Sequence, residues 1–251
     1  MPILKDWCLA ERWGGGDGVG RVLNWDEAGI SAMRARLIAG TERGSYTEEQ
    51  VAQVTDVLRD KRGTTGVVLG SDIPWVECIA LNAEVEEVWT WEYSTIKSTV
   101  PRLRAAPMHV MAEGFASGSL PLMDWAVSFS SFEHSGLGRY GDPLNPEGDV
   151  EAMEDAWCML RPGGTLALGV AMTCTNVGRT DFNAHRVYGY TRLAYISAGW
   201  EIDSFQGVGC QAGDGPQPIV IMRKPLNGER APALSADDFA SASAAAAARK
   251  K

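Results

Sequence analysis

Between residue 64 and about residue 224, short apolar runs rich in β-branched residues alternate with segments spaced for helices. No other feature constrains the fold so strongly. Strand and helix repeating in this way build a mostly parallel sheet with helices on its faces. Residues 65–69 read as a first strand, and Gly70 lets the chain turn. Residues 74–81 read as a helix, with Asp72 as its cap and Pro74 in its first turn. Further strands are expected at 88–91, ending at Glu92, then at 108–111 and 124–129. A helix at 149–160 stops at Arg161-Pro162-Gly163-Gly164 before a strand at 165–170. A helix at 191–198 leads to a closing pair of strands at 200–205 and 218–222. The fold class is therefore α/β, a doubly wound, seven-stranded, mostly parallel sheet.

The flanks differ in texture. Residues 1–63 form an N-terminal helical extension: a glycine-rich stretch at 14–20 is followed by two helix-like segments. In the second, Thr47 and Gln50 make a capping box ahead of Val51, Val54, Val57 and Leu58. Residues 64–225 hold the α/β domain. Residues 226–251 are rich in Ala and Ser, show no apolar face to dock, and are expected to be largely disordered.

Charge and cysteine usage narrow the function. The 251 residues carry 23 Lys and Arg against 32 Asp and Glu, a net charge of -9, with no long basic run. Nucleic acid and anionic membrane are therefore not expected partners. No window approaches 18 uninterrupted apolar residues, and the first residues lack the order of a signal peptide. The five cysteines are scattered without a Cys-x-x-Cys pair, which suits reduced thiols in a cytoplasmic protein better than a disulfide framework or a zinc cluster.

In a doubly wound sheet the ligand sits beyond the carboxyl ends of the strands, where the strand order reverses. The first strand here runs into Gly70-Ser71-Asp72-Ile73-Pro74-Trp75. One glycine permits close backbone approach, but this is not G-x-G-x-x-G and gives a dinucleotide pyrophosphate a poor seat. The Gly18-Val19-Gly20 stretch follows no strand and reads as a loop. Glu92, at the end of the second strand, can accept both hydrogen bonds of a ribose diol.

Downstream, 124–129 continues into Ser130-Ser131-Phe132-Glu133-His134, and Met159-Leu160-Arg161-Pro162-Gly163-Gly164-Thr165-Leu166 follows. Over roughly residues 65–222 this combination resembles the class I S-adenosylmethionine-dependent methyltransferases. The segments 132–146 and 182–189, with Gly70-Ser71-x-x-Pro74-Trp75-x-Glu77 and Glu92-Tyr93, resemble a small methyltransferase-like family of unknown function named after its Caenorhabditis members. In that family this turn replaces the glycine-richer first motif of ordinary methyltransferases. The resemblance implies a Rossmann-like fold and S-adenosylmethionine as cofactor, with Gly70, Ser71, Asp72, Trp75, Glu92, Tyr93, Ser130 and Ser131 around it. Glu113, after the strand expected at 108–111, stands where a methyltransferase loop contacts adenine.

Two polar loops complete the candidate site. His185 lies among Asn183, Arg186 and Tyr188 after the strand at 165–170, and reads as a general base or substrate ligand. His134 is the second catalytic candidate. Arg139, Tyr140 and Asp142 could stack on and hydrogen-bond a polar acceptor. Nothing in the spacing of Glu133, His134, Asp142 and His185 demands a metal, and none is expected. The expected activity is methyl transfer to a small polar or glycan-like acceptor, at oxygen. Two alternatives stand: a methyltransferase-fold binding protein without turnover, and a nucleotide-dependent oxidoreductase, against which the missing glycine motif argues.

Overall fold

The computed structural model describes residues 22–44, 46–140, 142–181, 184–206 and 217–248. The glycine-rich stretch at 14–20, Asn183, Cys8 and Cys210 lie outside them. Seven strands form the main sheet: β2 (Thr65–Leu69), β3 (Glu87–Glu92), β5 (Leu103–Pro107), β6 (Met123–Phe129), β7 (Leu160–Gly169), β10 (Glu201–Gln206) and β11 (Ile219–Arg223). Their order is β10-β11-β7-β6-β2-β3-β5; β11 runs antiparallel to β7 and β10, and the other pairs are parallel. From β2 the chain moves outward to β3 and β5, then returns to place β6 on the other side of β2. That reversal opens a crevice beyond Leu69 and Phe129.

Period-two alternation assigns the core to two layers. Val67 and Leu69 point to one face, whereas Val68 between them points to the other. Over the Val68 face lie α1 (Glu27–Ile38), α2 (Glu48–Leu58) and α3 (Trp75–Asn82), with Val54, Leu58, Val76 and Ile79 buried. Over the Leu69 face lie α4 (Met108–Ser117), α5 (Gly148–Met159) and α6 (Tyr190–Ile196), burying Met111, Met153, Trp157 and Leu193. Two two-stranded sheets stand apart: β1 (Val22–Trp25) with β4 (Thr95–Ser98), and β8 (Arg179–Asp181) with β9 (His185–Val187). The Thr47–Gln50 capping box at the start of α2 is present in both directions, with hydrogen bonds of 3.2 and 2.8 Å.

Several expectations need correction. Residues 108–111 are not a strand but the first turn of α4; the third strand of the sheet is β5, which ends at Pro107. Leu103-Arg104-Ala105-Ala106 lacks the β-branched content that marks a strand, and as an edge strand β5 needs only one partner, β3. A proline suits its last position, where no ladder hydrogen bond is lost. Asp72 does not cap α3: Pro74 occupies the N-cap, with no side-chain hydrogen bond there. Arg161–Gly164 is an excursion inside β7, since Leu160 pairs with Met123 and Thr165 already with Trp125.

The tail is the largest departure. Instead of disorder, it carries α7 (Ala236–Ala248), which packs on α6 and β10 and buries Phe239 completely. The Phe239 ring meets Phe205 edge-on at 6.0 Å. A single aromatic anchors a helix whose alanines supply propensity but little apolar area. Cys78 and Cys158 are free thiols, whereas Cys174 is disulfide-bonded, so the expectation of reduced cysteines fails at Cys174. Among the described residues no helix is long and apolar enough to cross a membrane.

Candidate functional site

The crevice beyond β2 and β6 widens into a cavity of about 470 Å³, within the usual range for small-molecule sites. Its floor is set by two tight turns. Gly70 has φ +84°, and a Cβ there would lie 1.9 Å from Ser131 Oγ. The glycine is thus required by the close approach of the β6 turn as well as by its own left-handed backbone. Ser130, at φ +56°, is a non-glycine residue in the same sparsely populated region, and it lines the cavity.

Glu92 ends β3 on the cavity wall. Its Oε2 accepts from Ser71 N at 2.8 Å, and its Oε1 accepts from Tyr93 N at 2.9 Å and Ser94 N at 3.3 Å. Burial raises its pKa against these three N–H donors, which favour the charged form. Behind it, Glu77 of α3 is wholly buried, accepts from Thr90 Oγ1 at 2.8 Å, and is pushed up to about 7 by burial.

Gly70, Ser71, Asp72, Trp75, Tyr93, Ser130 and Ser131 all border the cavity with Glu92. Glu113 does not: it lies exposed on α4, because residues 108–111 are helical rather than a strand leading into a loop.

His134, Arg139, Tyr140 and Asp142 border the opposite side. The His134 ring lies 2.5 Å from the Ala184 carbonyl through Nδ1. A carbonyl only accepts, so Nδ1 carries the hydrogen and Nε2 keeps a lone pair. Burial pushes the ring's pKa down to about 4, which holds it neutral. Asp142 accepts from the backbone N–H groups of Gly138 and Tyr140, each at 3.2 Å, and so shapes the loop from within.

The second polar loop is placed differently. His185 does not border the cavity; its ring stands 6.0 Å behind that of His134 and 3.5 Å from Asp181. Arg186, only 3% exposed, donates to the carbonyls of Ser135, Asn145 and Pro146 at 2.5, 3.3 and 3.2 Å. Tyr188 is fully buried, its hydroxyl on Asp149 at 3.0 Å. Arg186 thus ties Ser135 to Asn145 and Pro146, and none of His185, Arg186 and Tyr188 borders the cavity. Asn183 lies outside the described residues.

The sequence also left residues at the cavity wall, and one beneath it, unflagged. Tyr46, from the segment between α1 and α2, packs on Trp75 (4.9 Å) and edge-on to Phe129 (5.1 Å) at the cavity wall. Only its place one residue before the capping box distinguishes it. Glu151 and Asp155 share one face of α5 by their i,i+4 spacing, but spacing alone does not say what that face borders. Gln217 donates from Nε2 to Ser130 Oγ at 3.0 Å and to Glu133 Oε1 at 3.2 Å. Among the described residues no group of three His, Cys, Asp or Glu is placed to hold a metal ion.

Solved structures share this fold at low identity. The 1,6-didemethyltoxoflavin-N1-methyltransferase of Burkholderia thailandensis, solved with 1,6-didemethyltoxoflavin and S-adenosylhomocysteine, superposes with a TM-score of 0.52 and 15% identity, over 78% of this chain and 87% of that one. The 4+2 cyclase SpnF superposes with a TM-score of 0.51 and 14% identity, over 78% of this chain and 94% of that one. At such identity the likeness is one of fold, and the two activities differ. No curated protein matches the chain. Residues 63–224 match the family described as Caenorhabditis protein of unknown function, DUF268, and the chain belongs to that family on a class I methyltransferase-like fold.

Proposed function

We propose that the protein is an S-adenosylmethionine-dependent methyltransferase acting on a hydroxyl of a small polar or glycan-like acceptor. The observation that carries this reading is the charge of the cavity at the strand-order reversal. Among the described residues, Asp72, Glu92, Asp142, Glu151 and Asp155 border it against one guanidinium, Arg139, and no lysine. An acidic lining suits a ligand bearing a sulfonium and an ammonium, and it repels the phosphates of a dinucleotide. Glu92, fixed by three backbone N–H groups, would hold the ribose diol, and the 70–72 turn would border the amino-acid part.

The cofactor supplies an already reactive methyl group, so the chain's own task is to position the acceptor and remove a proton. Neutral His134, with Nε2 as acceptor, would take a hydrogen bond from a second polar group of the acceptor beside the reacting hydroxyl, while Arg139 and Tyr140 would contact the rest of the molecule. Arg186 would support this loop from outside the cavity, with His185 standing behind His134.

Thermal melting checks the cofactor. S-adenosylhomocysteine should raise Tm by mass action, with NAD giving no shift. A shift from NAD alone would reject the proposal. Consumption of S-adenosylmethionine against a panel of hydroxylated acceptors then tests turnover, and binding with no turnover would favour the non-catalytic alternative.

A further inference from the structure

Beneath the cavity floor lies a carboxyl group that no contact accounts for fully. Glu133 is 1% exposed; its Oε1 accepts from Gln217, and its Oε2 is buried with no hydrogen-bond partner among the described residues. Leaving a buried carboxyl oxygen unsatisfied is costly, so such a group calls for an explanation. The same Gln217 Nε2 also donates to Ser130 Oγ, which ties the buried carboxyl to a hydroxyl on the cavity wall. Ser130 holds that place in a strained backbone conformation, as residues at functional sites often do.

We propose that Glu133 takes the acceptor's proton through the Ser130 hydroxyl, and that a cation bound in the cavity is what leaves Glu133 charged to do so. Ser130 Oγ would receive the acceptor's proton while passing its own to the carboxylate, so Ser130 ends unchanged and Glu133 ends neutral. Burial pushes the Glu133 pKa up to about 7, and hydrogen bonds to its own backbone N–H and to Ser130 oppose that rise. Without a ligand the group is therefore poised between its two forms near neutral pH. A positive charge within the cavity favours the ionised form. The titratable groups facing it are Tyr46 from the α1–α2 segment, Tyr140 from the cavity loop and Tyr188 following β9. Burial raises the pKa of all three phenols, Tyr46 to about 12, so they stay neutral and do not compete for the proton. Acting through Ser130, Glu133 is a positioning residue and proton store rather than a group that touches substrate.

This inference rests on the proposed cofactor, and its test separates the two. S-adenosylmethionine and S-adenosylhomocysteine differ by the methyl group and its positive charge. Calorimetric titration at pH 7 in buffers of different ionisation enthalpy counts the protons released by each. The wild type should release a measurable fraction of a proton per S-adenosylmethionine, because burial keeps part of the group protonated near neutral pH, and close to none with S-adenosylhomocysteine. Glu133→Gln should abolish the difference while both ligands still bind. If Glu133→Gln fails to fold, Gln217→Ala removes the donor to Oε1, disfavours the ionised form, leaves more of the group protonated before binding, and should enlarge the release. Equal release from both ligands, or release that survives Glu133→Gln, would overturn the inference and leave the cofactor reading standing. Binding of neither ligand would overturn both.

Discussion

Residues 130–142 and the β8–β9 hairpin with its flanks look alike as sequence. Each carries a histidine, an arginine and a tyrosine within a few positions, and each follows a strand of the main sheet. In the structure they part ways. His134, Arg139 and Tyr140 border the cavity, whereas Arg186 and Tyr188 are consumed by Ser135, Asn145, Pro146 and Asp149. The polar pattern records that each group needs a partner. It does not record whether that partner is a ligand or another part of the chain.

Stability should separate the two loops most sharply. Arg186→Ala would remove a buried guanidinium that ties the Ser135, Asn145 and Pro146 carbonyls to Asp149, and should cost about 3–5 kcal/mol in urea denaturation. Arg139→Ala, at the cavity wall, should cost about 1 kcal/mol or less. Equal losses would erase the distinction.

The tail offers the apolar version of the same contrast, a segment that reads as solvated yet docks. Phe239→Ala should cost about 3 kcal/mol, and removal of residues 231–251 at least as much. Unchanged melting of either variant would show that α7 does not hold the α6 face.

A smaller effect sharpens the electrostatics beneath the cavity. Burial raises the Glu77 and Glu133 pKa values to about 7, above the ordinary carboxylate range of the unfolded chain. Between roughly pH 4.5 and 7 the native state then holds protons that the unfolded state has lost. The stabilisation is complete at the acid end of that window and is lost as pH rises through 7. Glu133→Gln should remove its share of this fall, on the order of 2 kcal/mol, when denaturation curves at pH 5 and pH 8 are compared. A slope identical to that of the wild type would mean that Glu133 is charged throughout.

How much of this was legible in the sequence follows from where the information resides. The β2, β3 and β6 strands and the α2 cap were readable because local pattern and tertiary role agree there. The β5 strand was displaced by several residues, since an edge strand ending in proline carries little strand signal and the following Met108–Met111 turn carries more. That displacement is what sent Glu113 to the wrong place. On the cavity side, residues at strand ends (Gly70, Glu92, Ser130 and Ser131) were found, because topology alone puts them at the crevice. Tyr46 and Gln217 were missed, because distant segments bring them in and nothing local marks them.

Calorimetric titration of S-adenosylhomocysteine into wild type, Glu92→Ala and His185→Ala tests most directly whether the cavity side is the ligand side. The wild type should bind, and Glu92→Ala should lose at least about tenfold in affinity, or 1.4 kcal/mol. His185→Ala should match the wild type, because its ring lies behind His134 and off the cavity wall. Equal weakening by both variants, or binding that ignores Glu92, would contradict the assignment.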